Sequence, residues 1–426
     1  MALDTKPYKG ARDFYPADKQ LQNYIFGIWR EVAASYGYQE YDAPIIEPLD
    51  IYAAKTSQEI VNEQTYSFED RGGRKVTLRP EMTPTVSRMV AAKRQELALP
   101  LRWYSIPNLW RYERPQRGRL REHWQLNVDL FGIAGIEADH EIIAIADAIM
   151  QRFGAKRDMY VIRLNSRQLT NYILQDFIGL NSEQSAATIR LIDRIHKIPA
   201  DELKAALNDI AADKTDQLLN IFKAHSYDAL PEDIKNHKIA QHLHKLEMML
   251  ARGGITNTKF DVTLMRGFDY YTDIVFEVFD TNPENSRAIF GGGRYDGLVG
   301  AFGVEPLPTI GFGLGDVTLH DFLQTHNLLP TIKQPVDLCV ITIGDVYLEA
   351  QKLLTDLRSD GLKVVVDSTG RKIDKQLKSA DKAGFEWILF VGEQELASGD
   401  YKLKHLPSGK EQSLGLGEIA KTIKTS

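Results

Sequence analysis

Arg111, Arg114, Arg117, Arg119 and Arg121 fall within eleven consecutive positions, with Glu113 the only acid among them. Guanidinium groups stay charged and grip oxygens bidentately, so such a cluster suits phosphates or carboxylates. Just downstream, Gln125, Asn127 and Asp129 alternate with Leu126, Val128 and Leu130. A period of two puts three polar groups on one strand face and an apolar row on the other. A polar face beneath an arginine-rich loop suggests a pocket that holds a polar organic molecule next to phosphates. The plainer alternative is a hairpin with a solvated basic tip.

Several elements must position these groups. Pro115 and Gly118 interrupt the basic stretch, giving strand Leu109–Tyr112, a charged loop, and a returning strand Trp124–Phe131. Upstream, a hairpin of Thr65–Glu69 and Lys75–Arg79, turning at Arg71-Gly72-Gly73-Arg74, delivers the loop Leu78-Arg79-Pro80-Glu81-Met82-Thr83-Pro84. Two prolines stiffen that loop around Glu81 and Thr83. Thr83 could equally serve as N-cap, with Pro84 at the first position of the helix that follows. A second conspicuous stretch, Arg266-Gly267-Phe268-Asp269-Tyr270-Tyr271-Thr272, lies between two expected strands. Gly291-Gly292-Gly293 follows strand Ile289–Phe290 and lacks the Gly-Lys-Ser/Thr ending of a phosphate loop. It reads instead as a place where backbone approaches a ligand or strand closely.

The 426 residues require two or three domains. Hydrophobic content of 43% and charged content of 26% are those of a globular protein. No apolar run approaches the roughly 20 residues that span a bilayer, and the start lacks a signal-peptide pattern. The single cysteine, Cys339, rules out intrachain disulfides and a cysteine-built zinc site. No HExxH occurs, so no metal site is expected and the compartment should be reducing, most simply the cytoplasm. A net charge of −6 neither advertises nor forbids nucleic-acid binding.

Residues 17–35 carry Leu21, Ile25, Ile28 and Val32 at helical spacing, and Asp139–Arg152 repeats the pattern. From about 181 to 252 successive amphipathic helices form an insertion; strands Lys259–Thr263 and Thr272–Phe279 then resume. A helix runs from Gly315 to about Gln324. After a linker at 326–335, alternating strands (Val336–Ile343, Lys363–Val366, Trp387–Val391) and helices argue a small parallel-sheet α/β domain over 336–426. Lys372, Lys375, Lys378 and Lys382 on one of its helices could meet RNA or simply be a solvated face.

The arginine-rich hairpin resembles motif 2 of the class II aminoacyl-tRNA synthetases. Its string RYERPQRGR…QLNVDLFG, the LRPE-x-T loop, RG-x-DYY and GGRYDGL together resemble the histidyl-tRNA synthetases, in the right order along almost the whole chain. The resemblance implies an α+β catalytic domain (1–325) built on an antiparallel sheet, with the helical insertion gripping the tRNA acceptor arm or covering the site, followed by an anticodon-binding-type domain. The long first helix, strand and proline resemble motif 1 and imply a homodimer. The implied reaction joins L-histidine to tRNA(His) through a histidyl-adenylate, consuming ATP, with Mg2+ on the nucleotide and no zinc. By carry-over, Arg111 holds the α-phosphate and Arg266 bridges it to the histidine carboxylate. Glu113 meets adenine, His123 stacks on it, and Arg119 holds the outer phosphates. Gln116 and Arg121 lie nearer the tRNA acceptor end. Glu81, Thr83 and Gln125 satisfy the ammonium, Asp129 accepts from one imidazole nitrogen, and Tyr271, with Tyr270 beside it, addresses the other.

Three positions depart from the family pattern. Asp129 stands where many members have glutamate, and His123 where phenylalanine is common. In Ile310–Leu319, which matches the frame of motif 3, Thr318 occupies the place of the motif's arginine. That loses a charge worth about 1.5–3 kcal/mol unless another group, such as Arg119 or Arg121, supplies it. The gap keeps an alternative open: a synthetase-like, histidine-sensing regulatory subunit of ATP phosphoribosyltransferase. Such paralogues usually lack the anticodon-type domain and degrade the RG-x-DYY region.

Overall fold

The computed structural model describes residues 3–53, 63–192, 195, 198–265, 270–332 and 334–425. Arg266, one of the two expected catalytic arginines, lies outside the described residues. The chain divides into two units, residues 1–330 and 331–426.

The first unit is organised by a sheet with six successive antiparallel strands at its centre. Their order is Leu101–Ser105, Glu122–Phe131, Thr309–Gly315, Ala288–Arg294, Ile274–Asp280 and Tyr160–Ser166. Parallel pairs close both edges, Gln39–Glu40 beside Leu101–Ser105 and Thr258–Phe260 beside Tyr160–Ser166. The alternation in the returning motif 2 strand sorts its two faces as expected. Leu126, Val128 and Leu130 are fully buried in a core shared with Ile25, Trp29 and Val32 of helix Pro16–Ser35 and Ile142, Ala146 and Ile149 of helix Ile136–Arg152. Gln125, Asn127 and Asp129 point the other way, as a period of two requires.

The helical insertion consists of Ser182–Ile192, Ala200–Ala211, Thr215–Phe222, Glu232–Lys235 and Lys238–Arg252, and its buried leucines join the same core. The upstream hairpin pairs Tyr66–Glu69 with Lys75–Leu78. Its turn is held by Asp70, which accepts from the Gly72 and Arg74 amides at 2.9 and 3.0 Å, while Gly73 takes the left-handed φ of +74°.

Three expectations need correction. The strand expected over Ile289–Phe290 does not stop there but runs on through the glycines at 291–293, because partners on both sides supply ladder bonds (Gly292 lies opposite both Phe276 and Phe312). The helix after the LRPE-x-T loop is Thr83–Ala92 with Met82 as its N-cap, so Thr83 is already in the first turn and does not cap it. The second unit's sheet is mixed rather than parallel. Leu338–Thr342 lies between Val364–Asp367 and Trp387–Val391, all parallel, and Asp400–His405 and Glu411–Gly415 extend it antiparallel. Both faces of that sheet are covered, Leu338 and Val340 packing with Leu353 and Ile419, and Cys339 and Ile341 with Ala380. Lys372, Lys375, Lys378 and Lys382 are exposed on its surface.

One buried ion pair ties the end of the glycine strand to the long helix. Arg294 donates from Nε and Nη2 to Asp139 at 3.1 and 2.6 Å, and to the carbonyls of Ile133 and Gly135 at 3.2 Å each. Both side chains are almost fully buried. Removing one partner strands the other charge without water. Arg294→Ala should therefore cost about 3–5 kcal/mol, read as a lower urea midpoint with an unchanged slope.

Candidate active site

A cavity of about 770 Å³ opens on the polar face of the sheet. Its floor exists because the strands beneath it lack side chains there. Gly311 lies opposite Asp129 and Gly313 opposite Asn127. A Cβ on Gly311 would run into the Asp129 carboxylate, and one on Gly313 into the Gln125 side-chain amide. A Cβ on Gly291 would sit 2.6 Å from the Phe276 carbonyl. The missing carbons are the space into which Gln125 and Asp129 lean.

One end of the cavity is acidic and phenolic. Glu81, Thr83, Gln125, Asn127, Tyr270, Tyr271 and Tyr295 all line it. The Tyr270 hydroxyl donates to Glu81 Oε2 at 2.9 Å, and both side chains are buried. Burial, reinforced by Glu81, pushes the Tyr270 and Tyr271 hydroxyls well above their usual range, so both stay protonated. Asp129 is not on the wall itself. Tyr295 stands in front of it and donates a short hydrogen bond to its Oδ1. The other oxygen, Oδ2, is buried and has no hydrogen-bond partner among the described residues. Burial raises the Asp129 carboxyl to about 7, against the opposing effect of the Tyr295 bond.

The opposite end carries the arginines. Arg111, Glu113, Arg119 and His123 line it, together with Gly118, Arg287 and Thr318, while Arg163, paired with Asp261, lines the cavity in the cross-strand row of Asn127. Arg111 Nε donates to the Pro80 carbonyl at 2.8 Å, so the motif 2 hairpin and the LRPE-x-T loop are joined at this residue. Arg119 and Glu113 pair at 3.1 Å. His123 is pushed down to about 3 by burial, helped by Arg111 and Arg12, so its ring is neutral and can stack on a base. Gln116 and Arg121 do not line the cavity. Gln116 exchanges backbone hydrogen bonds with Arg119 at the hairpin tip. Arg121 lies over the Tyr112 ring at 4.0 Å and donates to the Tyr8 hydroxyl at 2.9 Å, which removes it as a substitute for the missing motif 3 arginine.

Several functional neighbours escaped the sequence reading. Tyr295 was visible only as part of GGRYDGL, and nothing local links it to Asp129, 166 residues away. Arg287 is an isolated arginine in a loop. Arg12 binds Asp316 at 2.7 Å, and Asp316 also accepts from the Trp124 amide at 2.9 Å, tying the N-terminal segment to motifs 2 and 3. No periodicity marks a contact across 304 residues. Among the described residues no group of three or more His, Cys, Asp or Glu could hold a metal, and no helix is long and apolar enough to cross a membrane.

An antiparallel sheet flanked by helices, with an arginine-bearing hairpin and a glycine-floored cavity on its open face, defines a class II aminoacyl-tRNA synthetase catalytic unit. Comparison with known proteins narrows this. The histidyl-tRNA synthetase family model matches residues 10–317, and the anticodon binding domain model matches 337–426. The chain is 43% identical over 429 residues to the histidine--tRNA ligase of Leptospira biflexa, covering 99% of this chain and 98% of that one. It is 38% identical over 417 residues to the histidine--tRNA ligase of Haloarcula marismortui, covering 96% and 95%. It superposes on a histidyl-tRNA synthetase structure from a Nostoc species with a TM-score of 0.84 at 25% identity, covering 100% of each chain. The apo Staphylococcus aureus histidyl-tRNA synthetase gives 0.75 at 27% identity, covering 99% and 100%. The chain belongs to the histidyl-tRNA synthetase family.

Two predictions follow from the floor and from Asp129. Gly313→Ala should fold, because the new methyl meets the mobile end of Gln125 rather than backbone. It should displace that amide and raise the KM for the amino acid about tenfold, with an unchanged circular dichroism spectrum. For Asp129, the folded carboxyl titrates near 7 and the unfolded one near 3.8. Holding it buried therefore costs increasingly as pH rises between those values and levels off above the upper one. The thermal stability of ligand-free Asp129→Asn should thus gain on wild type from about pH 5 to about pH 7, by on the order of 2 kcal/mol, and then stay level.

Proposed function

We propose that the cavity activates L-histidine with ATP and transfers it to tRNA(His). The amino-acid carboxylate attacks the α-phosphorus, the bond to the β-phosphate oxygen breaks, and pyrophosphate leaves. A terminal ribose hydroxyl of the tRNA then attacks the histidyl carbonyl and AMP leaves. The observation that carries this reading is the meeting, in one cavity of a chain with full-length histidine--tRNA ligase relatives, of an acid–phenol end and an arginine end. A zwitterion fits the first and a polyphosphate the second.

In this reading Glu81, Thr83 and Gln125 receive the ammonium. The imidazole lies against Tyr271 and Tyr295, with Tyr270 holding Glu81 in place. One imidazole N–H donates to the Tyr295 oxygen, whose own proton already goes to Asp129. Asp129 thereby acts through Tyr295 rather than by the direct contact expected from sequence, and the phenol spans the methylene that aspartate lacks relative to glutamate. Arg111 holds the α-phosphate, and Arg266 is assigned to bridge it to the histidine carboxylate. Glu113 and His123 take the adenine and Arg119 the outer phosphates. Mg2+ enters on the triphosphate, bound chiefly by phosphate oxygens. Two guanidiniums in these roles lower the repulsion between two anions brought into line. A site built to pair both imidazole nitrogens rejects analogues lacking them by about 10⁴-fold or more, so discrimination needs no second site.

Gln116 and Arg121, at the hairpin tip and flank, face the acceptor end of the tRNA, and the second unit meets the anticodon. The active form is a cytoplasmic homodimer. The relatives do not favour the regulatory-subunit alternative, and the match of an anticodon binding domain to 337–426 argues in the same direction.

The test is ATP–pyrophosphate exchange. It should depend on histidine and on no other standard amino acid, and Arg111→Ala should lower it by about 10²-fold or more without changing the fold. Arg266→Ala should abolish it. Histidine binding without exchange would instead support the regulatory alternative.

A further inference from the structure

We propose that Arg287 supplies to the outer phosphates of ATP the positive charge that Thr318 cannot. The inference rests on the reading of this cavity as the nucleotide site, and it names a nucleotide-binding residue that the family pattern does not assign.

Thr318 is the third residue of helix Asp316–Thr325. Its hydroxyl donates to the Ile289 carbonyl at 2.6 Å and lies 3.3 Å from the Gly315 carbonyl. The side chain is short, uncharged and committed to backbone. It offers a phosphate nothing, but it pins the start of strand Ala288–Arg294, and Arg287 is the residue immediately before that strand.

The loop that carries Arg287 is tied to the same helix on its other side. Asp280 accepts from the Asn282 amide and from Asn285 Nδ2, at 2.7 Å each, and Asn285 Nδ2 also donates to Thr325 Oγ1 at 3.1 Å. His326, just past the helix, meets Asp280 at 2.8 Å. Arg287 is therefore framed between two anchors, Asn285–Thr325 and Ile289–Thr318. The backbone is fixed before any ligand arrives, which lowers the cost of presenting a long side chain.

Placement completes the argument. Arg287 lines the cavity together with Gly118, Arg119 and Thr318. A side-chain carbon on Gly118 would sit 3.5 Å from Thr318 Cγ2 and 3.9 Å from Arg287 Cδ. The motif 2 hairpin tip, the motif 3 threonine and Arg287 thus converge on one spot. Gly118, at φ +72°, contributes no side chain there. A guanidinium delivered from the neighbouring strand start replaces one delivered from the helix, and it keeps the bidentate fork that suits a terminal phosphate.

The experiment uses the full-length protein in histidine-dependent ATP–pyrophosphate exchange, comparing wild type, Arg287→Ala and Arg287→Lys, with AMP as a competitive inhibitor. Support is a rise in the ATP KM of about tenfold or more in Arg287→Ala, with partial recovery in Arg287→Lys. The histidine KM and the AMP inhibition constant should stay within about twofold of wild type, since neither ligand has outer phosphates. An unchanged ATP KM in Arg287→Ala overturns the inference. So does a parallel loss of affinity for AMP and histidine, which would mark a general disturbance of the site. Failure of wild type itself to catalyse exchange would remove the underlying reading of the cavity instead, a result distinguishable from both.

Discussion

A sheet can hold a pocket on its face only where side chains are missing from that face, and this structure depends on that condition. Every second residue of a strand would otherwise project into the space where substrate must lie. Here the strands Ala288–Arg294 and Thr309–Gly315 place glycine on that face at 291, 293, 311 and 313. The strand beside them, Glu122–Phe131, keeps its polar side chains, which lean across the vacated ground. The opposite face of the same strands is packed by the helices Ile136–Arg152 and Asp316–Thr325. Cavity and core are two sides of one alternation.

The electrostatics divide along the cavity's length. At one end buried tyrosines remain neutral, and a carboxyl poised near neutrality sits behind Tyr295. At the other end guanidiniums are held by carbonyls and carboxylates, and His123 is kept uncharged by burial among them. This polarity matches a small zwitterion joined to a polyanion. Two departures from the family pattern have local contacts: Asp129 accepts from Tyr295, and the threonine at 318 bonds the start of the strand that follows Arg287.

What could be read from the sequence was local. The alternation of Gln125, Asn127 and Asp129 with apolar neighbours, the turn at Arg71–Arg74 and the long amphipathic helices are all set by residues within a few positions of one another, and each formed where expected. The extent of the strand beyond Phe290 is not legible because glycine carries little strand preference of its own; ladder bonds on both sides override that. The hairpin Asp400–His405 and Glu411–Gly415 went unseen although Tyr401 and Leu403 alternate, because lysines between two buried residues make a faint signal. Strand order, the Arg12–Asp316 link and the Tyr295–Asp129 bond join distant parts of the chain, and no local pattern encodes them. Their positions become legible only once the sheet has assembled.

The helical insertion leaves the sheet at Tyr160–Ser166 and the chain returns in Thr258–Phe260, the strand beside it. The excursion thus begins and ends at neighbouring points on one edge. Closing so long a loop costs entropy that grows only with the logarithm of its length. The module can therefore lengthen, shorten or repack without resetting the register of the strands that floor the cavity. Among the described residues, it contributes to the cavity wall Ile192, at the end of its first helix, and Ile195. Variation within this module is accordingly topologically cheap, and it is felt at the cavity through the shared core and, among the described residues, through two isoleucines on the wall.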